Sequence, residues 1–132
     1  MARVRVNVVL MVALSYVAVG GRASAHHSIQ AQFDVNKTIS ITGTVARIEF
    51  INPHSYLTLN VKDADGKTTK WAFEMTAVQQ LRRAGLSRAD RGGLKTGDEI
   101  TVTALAARDG SNSGLAQEIK TADGRVFKLI AD

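Results

Sequence analysis

Apolar and polar positions alternate with period two along much of this chain, the pattern of strands with one buried face. In "SYLTLNV" (residues 55–61) Leu57, Leu59 and Val61 share one parity, and Tyr56, Thr58 and Asn60 the other. "KTTKWAFEM" (67–75) sets Trp71, Phe73 and Met75 against Lys70, Ala72 and Glu74. The intervening "DADG" predicts a three-residue hairpin loop, Ala64-Asp65-Gly66, with Gly66 at its left-handed position. Asp63 then faces Lys67, so Ser55 meets Met75, Leu57 meets Phe73 and Leu59 meets Trp71. A one-residue slip would set Leu57 and Leu59 beside Ala72 and Lys70, so burial selects the first register. Leu57, Leu59, Trp71, Phe73 and Ile100 are the expected interior.

The preceding run, "TISITGTVARIEFI" (38–51), changes parity from Ile39, Ile41 and Val45 to Ile48 and Phe50. Such a switch predicts a bulge or bend, with Gly43 the natural place for it. "NP" ends the strand. "TAVQQLRRAG" (76–85) carries helical spacing, with Thr76 to cap it, Val78 and Leu81 facing inward and Gly85 to end it. A short turn follows around "SRAD". A turn at Thr96-Gly97-Asp98 leads into a strand from Glu99 to about Arg108; "DGSNSG" is a loop; "LAQEIKT" and "RVFKLI" are strands joined by "ADG". The order β-β-β-α-β-β, with a short last strand, predicts a mostly-β fold. Its form is a small Greek-key, OB-like antiparallel barrel of five to six strands with one helix between the third and fourth strands. A longer up-and-down barrel needs more strands, and the central helix argues against a sandwich.

The N-terminus follows a different pattern. "MARVR" is basic, "VNVVLMVALSYVAVGG" is apolar and "ASA" offers the small residues a signal peptidase reads. The apolar run falls short of the ~18 residues of a membrane span. Residues 1–25 are therefore expected to be a signal peptide, residues 26–37 an N-terminal arm and residues 38–132 the barrel domain. The destination is periplasmic or secreted, with no membrane span after cleavage.

This changes the charge argument. The chain carries 17 Lys and Arg against 12 Asp and Glu. Arg3, Arg5 and Arg22 leave with the signal and no acid does, so the net charge falls from +5 to +2. A nucleic-acid partner is accordingly not expected. There is no cysteine, hence no disulfide framework, and the fold rests on its core.

"AHHS", "FDVNKTISITGTV", "INPHSY", "WAFEM" and "LKTGDEITV" followed by "RDGSNSG" stand in this order over nearly all of residues 26–132. Together they resemble a family of small secreted bacterial proteins classified only as a domain of unknown function. The resemblance implies an exported barrel-like domain and no established activity.

Chemistry must then be read from side chains. No serine or cysteine sits in a nucleophile motif, and "GLKTGDE" lacks the spacing of a phosphate loop. No catalytic residue is assigned, and the balance of the reading is against an enzyme. Asp63 and Asp65 suit a tight turn, Arg82 and Arg83 a solvated helix face, and Trp71 the core.

The histidines remain. Cleavage after Ala25 makes His26 the first residue, where its α-amine and its imidazole can chelate one metal ion. A second imidazole would complete a three-nitrogen arrangement that resembles the histidine brace of several secreted copper proteins. Nitrogen ligands in tetragonal geometry suit Cu(II). His54 is the best second imidazole. In the chosen register it shares a face with Tyr56 and lies diagonal to Glu74, on the order of 7–8 Å away at the backbone. Glu74 could orient it or ligate, whereas Met75 points to the other face. His27 is a weaker ligand. The arm spans at most about 40 Å and would have to fold back along the first strand to reach His54, with Phe33 as its anchor. Two functions stay open. One is an exported periplasmic protein binding copper through His26 and His54. The other is a non-catalytic OB-like domain that binds a small ligand or a periplasmic protein partner on the face carrying Tyr56, Thr58 and Glu74.

Overall fold

The computed structural model describes residues 28–130. After a short helix, Ile29–Gln32, six strands follow: β1 (Phe33–Glu49), β2 (Ser55–Lys62), β3 (Thr68–Met75), β4 (Glu99–Ala107), β5 (Ser113–Thr121) and β6 (Val126–Lys128). A helix, Val78–Arg83, and a 3-10 turn, Ala89–Arg91, connect β3 to β4. The strand order is β3-β2-β1-β4-β5-β6, and an added β3–β5 pairing closes the first five strands into a ring. The barrel is therefore the expected one. Its neighbours are antiparallel except at the closing pair, which is parallel.

The β2–β3 hairpin has the register its sequence demands: Leu57 opposes Phe73, Leu59 opposes Trp71 and Ser55 opposes Met75. Gly66 closes the loop at φ 79°, and the Asp63 carboxylate accepts from the Asp65 and Lys67 amides at 3.0 and 2.9 Å. Leu57, Leu59, Phe73 and Met75 are buried with Val45, Ile100, Val102 and Ile119. The β3–β4 connection adds Leu81, Leu86 and Leu94 to the same core. Its helix ends at Gly85, φ 85°, where the Leu86 amide reaches back to the Leu81 carbonyl at 2.9 Å. Among the described residues no helix is long and apolar enough to cross a membrane.

Four details differ from the sequence reading. Trp71 is only half-buried, stacked on Phe73 with ring centroids 6.0 Å apart. The β3–β5 pairing begins at Ala72, so no strand covers Trp71 on that side. The bulge lies at Ala46, where the register steps from Val45↔Leu59 to Arg47↔Thr58. Among the described residues no non-glycine residue has a positive φ, so this bulge makes no demand for glycine. Gly43 serves close approach instead: a Cβ there would sit 2.6 Å from the Asn60 carbonyl oxygen. The helix begins at Val78 without a side-chain cap from Thr76; its amide donates to the Asn52 side chain at 3.1 Å, from 26 residues upstream. β1 starts at Phe33, five residues ahead of the β-branched run that signalled it, because Phe33 and Asp34 pair with Ala107 and Ala106.

Two substitutions test this packing by urea denaturation. Gly43→Ala is expected to destabilise the barrel by about 1–3 kcal/mol, since backbone rather than a movable side chain must yield. Phe73→Ala, at the centre of the core, is expected to cost about 3–5 kcal/mol. A Gly43→Ala midpoint equal to that of the parent would show that the β1–β2 approach is looser than described.

Candidate functional site

The outward face of the β2–β3 hairpin is set by the register that buries its other face. Tyr56 stands opposite Glu74. His54, two residues before Tyr56 and one after Pro53, therefore falls diagonally across from Glu74. The side chains meet: His54 Nδ1 lies 2.7 Å from Glu74 Oε1. A carboxylate only accepts, so in the neutral ring Nδ1 carries the proton and Nε2 keeps its lone pair. The His54 side chain is 49% exposed and that of Glu74 20%, so the carboxylate is the sheltered, positioning partner. Met75 is buried in the core, as its parity requires.

Glu74 also lines an open cleft of about 670 Å3. Tyr56 and Ala72 share its wall, and the residues opposite are Gln32, Phe33, Arg108 and Ser113. Two pairings bring these together. The parallel β3–β5 seam sets Ala72 beside Ser113 and Glu74 beside Leu115. The start of β1 pairs with the end of β4, Phe33 with Ala107. Arg108 reinforces that junction, its amide donating to the Gln32 carbonyl at 2.9 Å and its Nε to the Gln30 carbonyl at 2.7 Å. Phe33 is buried with Leu105 and Leu115 in a small cluster apart from the main core, where it fixes the first residue of β1 rather than an arm laid back along that strand.

The route is not the one read from the sequence. Residues 33–37 do not fold back along the first strand; they are its beginning. The ring closure itself carries the N-terminal segment to the Glu74 cleft. Thr58 pairs with Ala72 but lies outside the cleft lining, half-buried. His26 and His27 lie outside the described residues.

Gln32, Arg108, Asp109 and Ser113 were missed because their approach to Glu74 rests on two long-range pairings, β3 with β5 some forty residues apart and the start of β1 with the end of β4 some seventy apart. "DGSNSG" carried one local signal, an aspartate two residues before a serine. Asp109 accepts from the Ser111 hydroxyl and amide at 2.6 and 2.9 Å. The Ser111 hydroxyl, then the Ser111 amide, hold its carboxyl below the ordinary aspartate range. This carboxylate is engaged in shaping the turn at the rim of the cleft. Arg82 and Arg83 are exposed, as a solvated helix face requires.

Among the described residues, no three His, Cys, Asp or Glu side chains come together to hold a metal ion. His54 and Glu74 form a pair: one oriented imidazole with a free nitrogen, and one carboxylate. That arrangement can supply a single nitrogen ligand and its supporting hydrogen bond, and a closed metal site on it needs donors from another segment.

No curated protein matches this sequence. Residues 13–117 match a family of unknown function, DUF6152, a span that takes in His26, His27, His54 and Glu74, and the chain belongs to that family.

Proposed function

We propose that this is an exported protein that binds one Cu(II) ion through the α-amine and imidazole of His26 and through His54 Nε2, with Glu74 as the hydrogen-bonding support. The observation that carries the reading is the 2.7 Å contact between His54 Nδ1 and Glu74. A metal-ligating histidine commonly gives its second N–H to a carboxylate, which fixes the ring and makes the free nitrogen more basic. The second support is the path of the chain. The helix that begins at Ile29 borders the cleft lined by Glu74. Only His27 stands between Ser28, the first described residue, and His26, a step of about 7 Å of extended chain. An α-amine with an ordinary pKa of about 7.7–8.0 gives up its proton to a metal at little cost near neutrality.

The same cleft favours a second reading. Phe33, Tyr56 and Ala72 give it an apolar lining suited to a small ligand or a protein side chain, without a metal. The two readings separate at the N-terminus, because only the copper site requires a free amine on His26.

Copper titration of four forms tests the proposal: the chain beginning at His26, the same chain with one residue added ahead of it, His54→Ala and Glu74→Gln. Tight 1:1 binding is expected for the first. The extended chain and His54→Ala should lose it, and Glu74→Gln should weaken it by about 10–100-fold. Equal binding by all four would end the proposal. Protons also compete for imidazole nitrogen. They compete for the His26 amine as well, so affinity measured across pH 4–9 is expected to fall first below the ordinary α-amine value of about 7.7–8.0 and more steeply below the ordinary imidazole value of about 6.5.

A further inference from the structure

A second cleft, of about 690 Å3, lies across the barrel's β1 strand and the connection that enters β4. Its floor is apolar. Beyond the Ala46 bulge, Ile48 and Phe50 share one parity, and both are half-buried against the core. Leu94, fully buried, backs this floor from the core. Three cations line the cleft, Arg47, Arg88 and Lys95, and no carboxylate does.

Two of those cations are weakly engaged. Arg88 lies 3.9 Å from Asp90, with both side chains at least 70% exposed, a pair of little energetic weight. Lys95 makes no ion pair among the described residues. Arg47 is held by Glu49 at 2.8 Å and contributes less. The local excess goes further than the cleft. Between Val78 and Lys95 the chain carries Arg82, Arg83, Arg88, Arg91 and Lys95 against Asp90 alone. Residues 26–132 as a whole are nearly balanced, so the β3–β4 connection concentrates positive charge.

The walls are fixed. The Val45 amide donates to the Asp98 carbonyl at 2.9 Å, and the Gly97 amide donates to the Val45 carbonyl at 2.8 Å. These bonds tie the bulge to the turn that follows Lys95. The Asp98 carboxylate is turned to the Lys95 amide at 2.9 Å, occupied by the turn itself.

We infer that this cleft binds a small amphiphilic anion: a carboxylate, sulfonate or phosphate head set on Arg88 and Lys95, and an aromatic or alkyl body laid on Ile48 and Phe50. A bare anion would leave the apolar floor wet, and a neutral apolar molecule would make no use of the two weakly engaged cations. The combination selects a ligand that has both parts. This site shares no residue with the His54–Glu74 pair and does not depend on copper.

The test is titration of the purified protein with naphthalene-2-sulfonate at low ionic strength, followed by backbone amide shifts. Naphthalene-2-methanol serves as the neutral analogue and inorganic phosphate as the anion without a body. Saturable shifts are expected at Ile48, Phe50, Leu94 and Lys95. Binding should weaken about tenfold for the neutral analogue, for phosphate, and for the Arg88→Gln/Lys95→Gln double variant, each a difference of about 1.4 kcal/mol. Both substitutions are at exposed positions and leave the core intact. Shifts centred on Ala72 and Glu74 would overturn the assignment. So would a double variant that binds as well as the parent, or phosphate that binds as well as the sulfonate.

Discussion

The parallel contact between β3 and β5 is the constraint on which the rest of this molecule depends. It comprises Ala72, Phe73 and Glu74 beside Ser113, Gly114 and Leu115, with the Ala72 amide donating to the Asn112 carbonyl at 3.0 Å. Without it the sheet is an open ribbon that leaves β3 and the first half of β5 as edges exposed to pairing with other chains. With it, Phe73 turns into a closed interior and Glu74 outward beside the β4–β5 turn. Gly114, within the seam, serves its other neighbour: a Cβ there would lie 2.6 Å from the Leu105 carbonyl oxygen of β4. The seam thus unites the core and the candidate site in three residues of β3.

How much of this was legible in the sequence follows from the range of each interaction. The β2–β3 hairpin was readable down to individual pairs, because a tight loop and a two-residue period fix register locally. That register alone predicted the diagonal approach of His54 to Glu74. The helix was legible through Leu81 and Gly85. Its true N-terminal partner, Asn52, was not, because that bond spans 26 residues and leaves no local pattern. The bulge was inferred correctly from the parity change but assigned to the glycine. Gly43 was answering a different requirement, the proximity of β2. The half-exposure of Trp71 depended on where the closing seam begins, which no periodicity encodes.

The two clefts divide the chemistry of the surface. One carries the His54–Glu74 pair and the entry of the N-terminal segment; the other gathers the cations of the β3–β4 connection over an apolar floor. Both are built where a strand departs from regular pairing, at the start of β1 in one case and at the Ala46 bulge in the other. A closed barrel gives all its regular backbone groups to its neighbours, so recognition falls to the irregularities.

The start of β1 is itself divided. Pairing with β4 holds at Phe33 and Asp34, lapses over Val35, Asn36 and Lys37, and resumes at Thr38. Phe33 belongs to a three-residue apolar cluster that is separate from the main core. These residues form a latch, attached by its own small set of contacts and joined to the barrel through an exposed, unpaired stretch. Such a unit opens at a lower free energy than the whole domain. Local opening at Phe33 and Asp34 is therefore expected to need less free energy than unfolding the barrel, and a ligand engaging both these residues and the barrel body would act as a clasp against it.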